Sequence, residues 1–139
     1  MKNYLLLIFL LVMGCSSKHK DPGFTSVAGN WTYITPDAKV AITFELVKVT
    51  SDSVSIAKQT MKLDGTMYQS AAEITGVSLL TFQKIRINAN DIIAVYPYSI
   101  EFDNCTVSSD FKTINVPSGT YTWPWGKTNA LAGIKITRQ

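Results

Sequence analysis

Val40-Ala41-Ile42-Thr43-Phe44-Glu45-Leu46 decides how this chain is read. The even positions are apolar and the odd ones small or polar, so a strand through these residues buries one face and wets the other. Leu46 and Val47 then break the alternation and Val49 continues it on the odd set, which a β-bulge would reconcile. Thr50-Ser51-Asp52-Ser53 supplies a turn before Val54 and Ile56 resume the pattern, and Leu63-Asp64-Gly65-Thr66 carries the Asp-Gly pair favoured in two-residue hairpins.

Period two persists through the rest of the chain, and no useful length shows period 3.6. The stretch from Tyr68 to Gly76 fits either a strand or one helical turn. Leu79 to Ile87 reads as a strand that changes face, with Leu80 and Phe82 on one side and Ile85 and Ile87 on the other. Ile92 to Val95 is a short apolar run, and Pro97 confines it to an edge or a bend. Tyr98, Ile100 and Phe102 alternate with Ser99, Glu101 and Asp103. A turn at Ser108-Ser109-Asp110 precedes Ile114, Val116, Pro117-Ser118-Gly119 and the aromatics Tyr121, Trp123 and Trp125, and Ile134, Ile136 and Arg138 share the last face. About eight to ten short strands at this spacing predict an all-β fold, a small antiparallel barrel or, as the alternative, an immunoglobulin-like sandwich.

Everything after Phe24 fits one domain, residues 24–139. The 13 basic and 10 acidic residues are scattered except near the N-terminus. A nucleic-acid surface would cluster them with aromatics, so no nucleic-acid partner is expected.

The first residues have a different character. Lys2 precedes an apolar run of about nine residues from Leu5 to Met13, short of the ~20 a membrane-spanning helix needs. The run ends in Val12-Met13-Gly14-Cys15, which resembles the lipobox of bacterial lipoproteins, with Met13 bulkier than is usual there. That resemblance implies a signal peptide over residues 1–14 cut after Gly14, and acylation of Cys15 with attachment through fatty acyl chains such as palmitate. Several acyl chains make such an anchor stable. Ser16 in place of an Asp after the cysteine points to the outer membrane. Residues 15–23, polar and ending in Pro22-Gly23, read as a tether.

Gly29-Asn30-Trp31 opens the first strand of the domain and resembles the G-x-W of lipocalin-like proteins. There the tryptophan closes the barrel floor under an arginine or lysine from the last strand. The resemblance makes Arg138 that partner, since it shares a face with Ile134 and Ile136, and covers only the two ends of the domain. A guanidinium over an indole face gains a cation–π contact.

Catalytic groups are sparse. His19, the only histidine, lies in the tether, which excludes a histidine triad and a histidine-rich metal site. Asp37, Asp52, Asp64, Asp91 and Asp110 fall at turns, and Glu101 with Asp103 reads as a solvated strand face. Cys105 has no partner once Cys15 is acylated, and reads as a small buried side chain. No enzyme, metal or cofactor is expected. The expectation is a membrane-anchored binding protein whose wall residues Ile42, Phe44, Leu46, Leu80, Phe82, Ile100 and Phe102 enclose a small apolar or amphipathic ligand or form a plain core. The alternative is an accessory module using Tyr121, Trp123 and Trp125 to contact polysaccharide or another envelope protein.

Overall fold

The computed structural model describes residues 27–50, 53–78, 80–89, 98–122 and 127–139. The expected signal peptide with Gly14, the expected acylation site Cys15, the expected tether, and Trp123 and Trp125 lie outside them. Nine strands follow one another: β1 (Gly29–Ile34), β2 (Val40–Thr50), β3 (Ser53–Leu63), β4 (Thr66–Tyr68), β5 (Ser70–Ser78), β6 (Thr81–Ala89), β7 (Tyr98–Val107), β8 (Thr113–Thr122) and β9 (Thr128–Arg138). All pair antiparallel in one sheet, in the order β4-β3-β2-β1-β9-β8-β7-β6-β5. The two edges, β4 and β5, are consecutive in the chain and separated only by Gln69. The sheet therefore curls back on itself into a nearly closed barrel, and the Gln59 side chain of β3 donates to the Ser70 carbonyl of β5 at 2.6 Å across the seam. The sandwich alternative is overturned, because there is a single sheet.

Alternation explains the filling. Trp31, Ile42, Leu46, Phe82, Ile85, Ile87, Phe102, Ile114 and Ile136 are fully buried, and among the described residues no polar or charged side chain is. Tyr33 of β1 meets Phe102 of β7 edge-on, with centroids 5.4 Å apart. Outward positions carry Glu45, Lys58, Lys84, Arg86 and Glu101, the reverse of a lipid-facing barrel wall. Thr60, Thr43, Thr32, Thr137 and Thr113 stand in register on five neighbouring strands of this outer wall, β-branched side chains that suit a half-exposed sheet.

Local sequence is read literally at several turns. Asp64 and Gly65 both have positive φ, 45° and 86°, the backbone of a type I′ hairpin. The stretch 68–76 is strand on both sides of Gln69. The bulge expected over Leu46 to Val49 is two irregularities: Ala57 is extra on β3, since Glu45 pairs with Lys58 and Leu46 with Ile56, and Val49 is extra on β2, since Lys48 pairs with Val54 and Thr50 with Ser53.

Leu80 and Phe82 do not lie opposite Ile85 and Ile87. Phe82, Ile85 and Ile87 are all buried, and Leu80 packs against the same core. The cause is a bend line. Five neighbouring strands each send two consecutive residues outward at matched register: Thr75/Gly76, Gln83/Lys84, Asp103/Asn104, Pro117/Ser118 and Ala132/Gly133. On alternate strands of the line Gly76, Asn104 and Gly133 take positive φ. Each strand flips its inward parity there and keeps its apolar residues inside on both sides. Pro117 sits on the line, where neither neighbouring ladder pairs it, so its missing N–H costs no sheet hydrogen bond.

Two hairpin loops at opposite ends share one design. Thr35-Pro36-Asp37-Ala38-Lys39-Val40 and Ser108-Ser109-Asp110-Phe111-Lys112-Thr113 each run hydroxyl, carboxylate, left-handed residue and lysine. The Thr35 and Ser108 hydroxyls donate to Asp37 and Asp110 at 2.6 Å, and the Lys39 and Lys112 amides donate to the same carboxylates at 3.1 Å. Ala38 and Phe111 have φ of 56° and 57°.

Candidate functional site

The barrel has two unlike ends. At the floor, where the chain enters β1, the Trp31 indole N–H donates to the Val27 carbonyl at 3.0 Å. Trp31 is fully buried and pairs in the ladder with Arg138. The Arg138 guanidinium carbon lies 5.9 Å from the centre of the indole, and its nitrogens donate to the carbonyls of Ala28 and Phe111. Gly29 makes the space: a Cβ there would stand 2.9 Å from Arg138 Nη2, on a backbone with φ of 141°. Gly29, Trp31 and Arg138 thus meet as one plug.

The wall candidates pack together as a core. Ile42, Phe44, Leu46, Phe82, Ile100 and Phe102 are buried to 2% exposure or less in one continuous core. Leu80 stands apart in the β5–β6 turn with φ of 61°, partly buried. Of these seven only Ile100 reaches the opposite end.

That end is the mouth. Val40, Met61, Leu63, Tyr98, Ile100 and Tyr121 form an apolar cup rimmed by Thr35, Ser99 and Thr122. Its enclosed volume is about 10 Å³, room for one water. Tyr68 and Tyr98 stand 6.3 Å apart beside it. Below it the Tyr33 hydroxyl has a raised pKa, first from burial and then from Asp37 and Tyr121. Val40, Met61 and Leu63 are not among the expected wall residues, although each lies at or near the end of its strand, where a barrel opens. Tyr121, expected as a surface aromatic, is half-buried at this rim.

The outer wall holds the main charge cluster. Glu101 takes Lys84 Nζ and Arg86 Nη2 on its two oxygens, each at 2.6 Å, and Lys84 also reaches Asp103 at 3.5 Å. The acidic pair read as a solvated face is thus largely neutralised by Lys84 and Arg86 of the neighbouring strand β6. Cys105, buried behind this wall, has its thiol pushed up to about 12 by desolvation, with Asp103 adding to it. Among the described residues no group of three or more acidic, cysteine or histidine side chains is placed to hold a metal ion.

One curled antiparallel sheet with a tryptophan–arginine plug at one end and an apolar cup at the other defines a small, nearly closed β-barrel. No protein-family model, no curated protein and no solved structure matches the chain.

Proposed function

We propose that this chain is a non-catalytic lipoprotein of the bacterial envelope, acylated at Cys15 and held at the outer membrane. Its barrel engages a small apolar or amphipathic ligand at the mouth. The carrying observation is the asymmetry of the ends: the floor is sealed by Trp31 and Arg138, while the other end is an apolar cup edged by tyrosines. Since the interior is packed and the cup has room for about one water, the ligand lies across the rim, over the cup. Few, well-placed polar groups around an apolar concavity suit such a ligand.

Titration with a dansylated fatty acid tests the reading. Saturable emission enhancement that weakens in Tyr121→Ser supports it, and equal response in both proteins rejects it. Loss of labelled-palmitate incorporation in Cys15→Ser tests the anchor separately. A second reading, docking of a partner envelope protein at the same end, draws support from Ile34 and Met67, 54% and 59% exposed on the outer wall beside the mouth.

A further inference from the structure

Between the bend line and the floor, the outer wall of β7, β8 and β9 is hollowed to about 330 Å³, well away from the mouth. Its apolar base is the outward Pro117 ring beside Gly133, and its margins carry Asn104, Thr106, Asn115 and Lys135. Gly133 leaves the base bare, because a Cβ built there would meet nothing within 4 Å.

We propose that this hollow binds an acidic sugar, a pyranose ring bearing one carboxylate. Lys135 has no carboxylate within 4 Å among the described residues, so its ammonium is available for a charge-assisted hydrogen bond from outside. Asn104 and Asn115 each offer both a donor and an acceptor, the pairing that vicinal hydroxyls require. The apolar base accepts the C–H face of a ring. Asn104 holds a left-handed conformation, φ 53°, that costs a non-glycine residue energy and sets its amide at the margin.

Other ligand chemistries fit less well. A bare inorganic anion would not use the apolar base and would meet only one cation. A neutral sugar would leave the ammonium unpaired, and a hydrocarbon would desolvate the amides without satisfying them. The site is independent of the mouth and of the anchor, so neither failing touches it.

The test is an NMR titration of the full chain in detergent micelles, following the side-chain amide signals of Asn104 and Asn115. The expected result is a saturable shift with D-glucuronate, with D-glucose and acetate each much weaker at equal concentration. Lys135→Ala should weaken glucuronate binding about tenfold, the loss of one hydrogen bond to a charged group. Asn104→Gly, which keeps the left-handed backbone while deleting the amide, should weaken it without unfolding the barrel. No saturable shift of these amides, acetate equalling glucuronate, or undiminished binding by Lys135→Ala would each overturn the proposal.

Discussion

Arg138 stands over Trp31, its guanidinium carbon 5.9 Å from the indole centre, although 106 residues of chain lie between them. They are also ladder partners, so the pair joins the first strand to the last and closes the barrel at its floor. Arg138→Ala removes the cation–π contact and the guanidinium donors to Ala28 and Phe111 together. A loss of about 1–3 kcal/mol is expected in urea denaturation. Arg138→Lys should recover only part of it, since an ammonium cannot span both carbonyls and the ring. Gly29→Ala should destabilise as well, because the new methyl crowds the guanidinium on a backbone that disfavours L residues.

Acid should weaken the fold through three carboxylates. The Lys84 hydrogen bond, with help from Arg86, holds Glu101 below its ordinary value of 4.5. The loop hydroxyls of Thr35 and Ser108, followed by the Lys39 and Lys112 amides, hold Asp37 and Asp110 below 3.8. A carboxyl whose folded pKa is depressed contributes stability that is complete above its unfolded value and is lost as pH falls through the folded one. Urea midpoints should therefore be flat above about pH 5 and decline below it. Glu101→Gln should lower the neutral-pH midpoint and make that decline shallower. A slope as steep as in the parent would mean the ion cluster is not coupled to folding.

Cys105 should be inert while the barrel is folded. It is 1% exposed, its thiol donates toward the Phe102 carbonyl at 3.5 Å, and burial pushes its pKa to about 12. The nucleophilic thiolate is therefore scarce at pH 8. Iodoacetamide should leave Cys105 unmodified in buffer and alkylate it in denaturing urea, as read by peptide mass spectrometry.

Substitutions along the bend line should separate backbone from packing. Gly133→Ala places its methyl in open space, so any loss, expected at about 1 kcal/mol, comes from forcing an L residue to φ 63°. Asn104→Gly relieves the same demand on β7 and should leave stability equal or slightly raised in thermal denaturation. The reverse order of the two effects would show that the line is held by side-chain contacts.

The sequence by itself determined the strand class, the Asp64-Gly65 turn, most of the buried residues and the closing partners Trp31 and Arg138. The first three rest on local chemistry, alternation on one strand and left-handed tolerance at a turn, and the pairing of Trp31 with Arg138 comes from the resemblance of Gly29-Asn30-Trp31 to the lipocalin G-x-W. Tertiary structure alone decided that Phe82, Ile85 and Ile87 all point inward, that the extra residues of the β2–β3 ladder are Ala57 and Val49, and that Val40, Met61 and Leu63 help build the mouth. A change of parity within one strand looks like a second wet face until its neighbours change parity at the same level. The register that aligns five such changes exists only between strands far apart in the chain.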